Sequence, residues 1–314
     1  MTWTTPDAAP ARRAIGLTGL FVHPIGLDGS VFGWAAGPDD TAEALDSYSS
    51  AGGNLVSTAD HYAGGRSEIM IGSWLRSRRI RNEMVVATKV GRHPDNPGLH
   101  PRSIIAAVDA SLERLGVEHI DLLSLDGESA DVPIDDTLGA MAQLREAGKI
   151  RAVGAAGFSR STLDLSDQAA QRGLPEVQAI ITDYNLLQRE EYETYIQPVA
   201  VGHSSCGIAR LPLANGYLTG DFRSKQDFPT SGMFKDAANY AGRKGTKVLG
   251  VLDSIAQELE TTPGRVAIAW VISRPGIASA IARVHSAEQV VRYLDATMLD
   301  LSDDQLSRLD KVSS

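Results

Sequence analysis

The feature that most constrains this chain is a regular alternation, from one end to the other, of short β-rich apolar runs with longer amphipathic stretches. The apolar runs are Asn54–Thr58, Met84–Val90, Ile120–Leu125, Ile150–Ala155, Val177–Thr182, Gly207–Pro212 and Ala278–Ala282, with a first strand at Pro24–Leu27 behind a short hairpin through GLTGLFVHP. Between them lie helix-like segments at Asp40–Ala51, Ser67–Ser77, Pro101–Leu115, Asp135–Ala147, Arg160–Arg172 and Lys244–Leu259. Strand–helix alternation at this spacing means βαβ units and a parallel sheet. Roughly eight such units in a chain of this length point to a closed (β/α)₈ TIM barrel with an N-terminal β-hairpin. An open doubly wound sheet competes, but no GxGxxG turn follows an early strand.

Local signals support the segmentation. Thr262 is placed to cap a helix whose first residue is Pro263, where the missing N–H costs nothing. Gly148 stops the helix ending LREA before the strand KIRAVG. No linker interrupts the pattern, so residues 1–314 are expected to form a single domain, with residues 1–14 as a mobile leader. The longest polar connection, residues 220–243, exceeds a plain turn and is a candidate lid. Loops that follow barrel strands form the active face.

Composition excludes several classes of function. The net charge of -9 argues against a polyanionic partner, and no basic run with interleaved aromatics suggests nucleic acid. The only cysteine, Cys206, precludes an internal disulfide, and the N-terminal segment lacks the apolar stretch of a secretory signal. With no apolar run long enough for a membrane helix, a cytoplasmic location is expected. The histidines are scattered without metal-ligand spacing, so no metal is expected. Ser159 in GFSRS lacks a GxSxG elbow, which speaks against serine hydrolase chemistry.

The run STADHYAGGRSEIMIGSWL (Ser57–Leu75) resembles the aldo-keto reductase signature, D-T-A-x-x-Y followed by S-E-x-x-x-G. The resemblance continues in ATKVG, SLERLGVEHIDLL, EAGKIRAVG, DYNLLQRE and PLANGYLTG, in family order and spacing, from about Gly16 to Leu309; GSVFGW (Gly29–Trp34) is similar to a bacterial subgroup. It implies a barrel that binds NADPH across its mouth and reduces aldehydes and ketones. In that chemistry a tyrosine donates a proton to the carbonyl oxygen, a neighbouring lysine–aspartate pair assists it, and a histidine bonds the substrate oxygen. A phenol near 10 is a poor acid at neutral pH, and a positive neighbour eases proton release.

Carried over residue by residue, the tyrosine is Tyr62 and the lysine Lys89, but the aspartate position holds Ser57 and the histidine position Asp126. Asp126 is then either an acid–base group or an ion-pair partner for Lys89. Cofactor positions differ further. The Ser-Asn pair that grips the carboxamide is Ala156 and Gly157, the glutamine is Ile181, the stacking aromatic is Arg210, the lysine after LTG is Asp221, and the arginine for the adenosine phosphate is His285, with Arg283 as a partial substitute. Each lost ligand hydrogen bond costs on the order of 1 kcal/mol, so the losses together remove several decades of affinity.

On these grounds the expected function is cofactor-independent acid–base chemistry (elimination, isomerisation or cyclisation) on a small carbonyl- or hydroxyl-bearing metabolite, of lyase or isomerase type. Tyr62, Lys89 and Asp126 form the reacting set, with Ser57 and His61 in support. His61 reads either as a replacement acid or base or as a solvated loop residue. Arg210 anchors an anionic or oxygen group of substrate or forms a salt bridge with Asp126 or Asp221, while Trp34 and Tyr217 line the pocket or the core. No cofactor is expected under this reading. One alternative is an active NADPH-dependent reductase compensated elsewhere; another is a non-catalytic pseudoenzyme with a binding or regulatory role.

Overall fold

A computed structural model describes residues 10–202, 205–223, 226–230, 232 and 234–314. Eight parallel strands close into a barrel in sequence order: β3 (Ile25–Asp28), β4 (Leu55–Ser57), β5 (Val85–Val90), β6 (Ile120–Asp126), β7 (Ile150–Ala156), β8 (Ala179–Asp183), β9 (Cys206–Arg210) and β10 (Ile277–Arg283), which returns to β3. Two shorter strands, β1 (Arg13–Ala14) and β2 (Phe21–Val22), pair antiparallel ahead of them.

The strands are buried on both faces, as a parallel sheet covered by helices requires. Outward residues such as Val56, Val86, Leu123 and Val153 join the large core shared with the helices. Inward residues such as Leu55, Ala87, Leu122 and Ile208 form a second cluster inside the barrel. Ile15, Leu20 and Val22 of the hairpin belong to that inner cluster, so the hairpin plugs one end. Arg13 pins it by donating to the carbonyls of Ile272 (2.6 Å) and Ile277 (3.0 Å). Arg13–Ala14 therefore form part of the plug, at the end of the expected leader, while residues 1–9 lie outside the described residues.

The outer ring is α1 (Pro38–Ser50), α2 (Arg66–Arg78), α3 (Pro101–Leu115), α4 (Ile134–Glu146), α5 (Arg160–Gln171), α6 (Gln197–Gly202), α7 (Arg243–Glu258), α8 (Pro263–Ile272), α9 (Ala287–Leu294) and α10 (Asp303–Ser313). Thr262 caps α8 through Arg265 N–H, with Pro263 in its first turn. Gly148 takes φ 72° just beyond α4, in the left-handed region glycine favours. Helix α9 follows β10, where the periodic reading placed none. It is short, and its start rests on a single residue, Ser286, which accepts from Gln289 N–H.

The connection at residues 220–243 is tied down by an aromatic cluster. Phe222 packs against Phe228 and Phe234 (centroids 5.6 and 5.9 Å), and Tyr217 stacks on Phe228 at 6.1 Å. Arg223 adds two 2.7 Å bonds to Asp253 of α7. Residues 224, 225, 231 and 233 of this expected lid lie outside the described residues. No described helix is long and apolar enough to cross a membrane.

Candidate active site

In each barrel strand alternate residues face inward. Continuing the inward series to the strand ends brings one residue from each strand to the open mouth. Around the ring these are Asp28, Ser57, Lys89, Asp126, Ala156, Asp183, Arg210 and Arg283. Three carboxylates and three cations thus share one layer at the end opposite the plug. The layer's charge balances, but its pairing is particular.

Lys89 is 2% exposed and donates to the Thr58 carbonyl at 2.7 Å. Its ammonium stands over the Tyr62 ring, 4.7 Å from the centroid, a cation–π contact in a desolvated setting. Burial pushes the Lys89 pKa below the ordinary lysine value, while Asp28 and then Asp126 pull it back up. Burial pushes the Tyr62 phenol far above its usual range; Asp28 adds to the rise, and Arg210 opposes it. The phenol is therefore protonated at neutral pH. Among the described residues its hydroxyl makes no hydrogen bond, which leaves the proton for a ligand.

The chain reaches Tyr62 through a tight turn. Ala63 (φ 52°) and Gly64 (φ 64°) are both left-handed, which reverses direction between β4 and α2. The Ser-Glu pair of the signature anchors this turn. Ser67 donates to the Gly29 carbonyl (2.8 Å), while the fully buried Glu68 accepts from Thr88 (2.7 Å) and Arg114 (2.6 Å). Glu68 thus locks the strand residue adjacent to Lys89.

Other expected site residues are distributed differently. Asp126 binds Arg92 Nε at 2.8 Å, not Lys89, because Arg92 lies just beyond β5 and reaches back across the rim. Arg210 pairs with Asp183 at 2.5 Å, not with Asp126 or Asp221, because β8 and β9 hold the two residues in register. Ser57 is buried, and its hydroxyl has no hydrogen-bond partner. His61 lies 3.2 Å from Asp60 and edge-on to Tyr62, with centroids 4.9 Å apart. Trp34 is exposed on the turn after β3, whereas Tyr217 is buried under the 220–243 connection.

Among the cofactor positions, Ala156 lies at the mouth, and a Cβ on Gly157 would meet nothing nearer than 4.0 Å. Ile181 faces inward, deeper in the barrel. Asp221 is exposed, and its backbone N–H donates to Thr219. His285 packs edge-on against Phe234. Arg283 donates to Asn215 (2.8 Å) and lies 3.7 Å from Asp28.

Asp28 stands outside the motifs, and Asp183 opens DYNLLQRE without a role that the resemblance assigns to it. Extending the two-residue parity of each strand to its last residue was the available signal. Several polar atoms here are buried without a hydrogen bond: Asp28 Oδ2, Ser30 Oγ, Ser57 Oγ and Arg283 Nε. Unpaired polar atoms clustered at a barrel mouth mark a place for a ligand.

The Aldo/keto reductase family model matches residues 25–314. The chain is 30% identical to a probable voltage-gated potassium channel subunit beta of Arabidopsis thaliana over 298 residues, 90% of each chain. It is also 30% identical to the aldo-keto reductase yakc [NADP(+)] of Schizosaccharomyces pombe over 226 residues, covering 69% of this chain and 66% of that one. The solved glycerol dehydrogenase AKR11B4 of Gluconobacter oxydans superposes with a TM-score of 0.83 at 25% identity, covering 97% of this chain and 95% of that one. The fold is the aldo-keto reductase barrel, with its polar layer at the open end. This chain belongs to the aldo/keto reductase family.

These likenesses overturn the expectation of a cofactor-independent lyase or isomerase, because the relatives' names carry NADP(+) and a dehydrogenase activity. The expectation of no cofactor falls with it. The expectation summed what the aligned positions had lost, whereas a ligand meets the whole surface of the mouth. Arg283 with its unpaired Nε, and Asn215, supply polar groups beside a cleft lined by Leu211, Pro212 and Phe234. Ala156 and Gly157 put no bulky side chain at the end of β7, and the space beside Gly157 is open.

Proposed function

We propose that this chain is an NADP(H)-dependent oxidoreductase that interconverts a carbonyl group and an alcohol on a small polar molecule. The observation that carries the reading is the Tyr62–Lys89 contact of 4.7 Å at the mouth of an aldo-keto reductase barrel. Bound NADPH supplies hydride. Arg283 and Asn215 would hold its phosphate-bearing part, and the open space beside Ala156 and Gly157 would receive the nicotinamide.

The chain's own work is proton delivery and orientation. Tyr62 keeps its proton at neutral pH and offers it to the oxygen of the carbonyl as that oxygen gains negative charge. Lys89, fixed by Thr58 and by the Glu68-anchored strand, supplies the positive field that eases this transfer. His61, beside Tyr62 and tied to Asp60, links the phenol to the solvent edge. The charged layer favours hydroxylated substrates over apolar ones, since an apolar ligand would leave Asp28 and Ser57 dry and unpaired. The segment at residues 220–243 serves as the cover of the phosphate end, and the reading carries with it a cytoplasmic setting, which the single, buried Cys206 suits.

The test is NADPH consumption with a panel of small hydroxylated aldehydes and ketones, in wild type and Tyr62→Phe. Turnover in wild type and its loss in Tyr62→Phe, with NADPH binding retained, is the expected outcome. Saturated NADPH binding with no carbonyl-dependent oxidation across the panel would end the proposal.

A further inference from the structure

We propose that Asp28, at the inward end of β3, is the carboxylate that serves Lys89 and Tyr62, a positioning residue supplied one strand away from Ser57, where the family resemblance leads one to expect the acid. The inference rests on the reductase reading for its chemistry and on the barrel's register for its geometry.

Asp28 and Ser57 are direct register partners on β3 and β4. Both are 1% exposed, and each has an oxygen without a hydrogen bond, Asp28 Oδ2 and Ser57 Oγ. The other oxygen of Asp28 accepts from Ser30 N–H at 2.9 Å, which fixes the carboxylate. A serine at position 57 is too short to carry charge into the mouth, and it leaves a polar, uncharged space beside the acid.

Elimination points the same way. Around Lys89 the charged and titratable groups are Asp28 on β3, Asp60 and Tyr62 beyond β4, Asp126 on β6 and Arg210 on β9. Asp126 is engaged by Arg92, and Asp60 by His61 and the Gly91 N–H. Asp183, further round the ring, is bound to Arg210. Of these acids, among the described residues, Asp28 alone has a fully buried oxygen without a hydrogen bond, faced only by the Arg283 guanidinium at 3.7 Å. A buried carboxylate so poorly satisfied is costly to the fold, which is the mark of a group kept for the site rather than for stability. Asp28 acts across the mouth, opposing the loss of the Lys89 proton that burial favours, without a direct bond.

The experiment moves the carboxylate. Asp28→Ser is compared with the swap Asp28→Ser/Ser57→Asp, using NADPH oxidation with a small hydroxyaldehyde and NMR titration of lysines carrying ¹³C at Cε. The Lys89 resonance is the one absent from Lys89→Met. In Asp28→Ser, kcat is expected to fall about a hundredfold. The alkaline limb of kcat/KM and the Lys89 titration should both move to lower pH, because the lysine has lost the acid opposing its deprotonation. The swap is expected to restore most of kcat and return both midpoints upward. A Lys89 titration unmoved in Asp28→Ser, or a swap as impaired as the single variant, overturns the proposal. Should Asp28→Ser not fold, Asp28→Asn, which keeps an acceptor for Ser30, takes its place. If wild type reduces no carbonyl, the reductase reading fails, while the NMR titration still decides whether Asp28 governs Lys89.

Discussion

Arg210 and Asp183 face each other in register at the ends of adjacent strands, with Nε and Oδ1 2.5 Å apart. Burial alone would lower the Arg210 pKa, but the bound carboxylate more than offsets it, so the guanidinium is charged throughout the working range. The pair holds a flat cation in one orientation where relatives are expected to place a ring. Guanidinium planes stack on aromatic faces, and an arginine held by a carboxylate loses little further freedom in doing so.

Arg210→Met is therefore expected to weaken NADPH binding about tenfold, equivalent to roughly 1.4 kcal/mol. Fluorescence titration of NADPH into the two proteins measures this. Equal affinities would show that Arg210 serves only its partner Asp183.

Glu68→Ala should destabilise the barrel by about 3 kcal/mol, since it strands the largely buried Arg114 and frees Thr88. Urea denaturation gives the figure directly. A loss below about 1 kcal/mol would mean the site relaxes or admits water.

The glycine of the same signature, Gly72, has a different task. A Cβ there would lie 2.1 Å from the Leu115 carbonyl oxygen, so α2 and α3 touch backbone to backbone. Gly72→Ala is expected to cost about 2 kcal/mol by forcing the helices apart. A melting temperature at or above that of wild type would contradict this close packing.

Stability should fall steeply above about pH 10, the ordinary tyrosine value. Tyr48, Tyr62, Tyr184 and Tyr192 are all pushed upward, with burial the first cause in each. Above that pH the unfolded chain sheds phenol protons that the folded chain retains, so rising pH favours unfolding. Lys89 has the opposite sign: its folded pKa is depressed, so stability rises with pH between that value and the ordinary lysine value. With Tyr195, Tyr240 and Tyr293 also raised, seven phenols against one ammonium make the net effect a loss. Thermal melts at rising pH test it, and a flat profile beyond pH 10 would refute it. Tyr48→Phe should flatten the profile slightly while costing stability at neutral pH, because its hydroxyl donates to Ile25 and accepts from Leu55.

Local physics made much of the barrel readable from the chain alone. Helix α3 begins and ends where its proline and periodic apolar residues indicate, Thr262 caps α8, and the strand boundaries move by only a residue or two. Tyr62 and Lys89 were legible because they sit inside a signature of fixed spacing. Glu68 and Gly72 lie in the same signature, but their jobs, an anchor for β5 and a helix contact, emerged only from packing.

Periodicity and capping are properties of neighbouring residues, so strands, helices and the alternation that closes them were decided by the amino-acid order. Which charge meets which at the mouth was not. Asp126 turns to Arg92, Arg210 to Asp183, and Asp28 comes to stand beside Ser57 only once neighbouring strands pair, and Arg283 reaches Asp28 only once β10 joins β3. Electrostatic pairing depends on distance through space, and strand pairing and closure of the barrel bring together residues that the chain keeps tens or hundreds of positions apart.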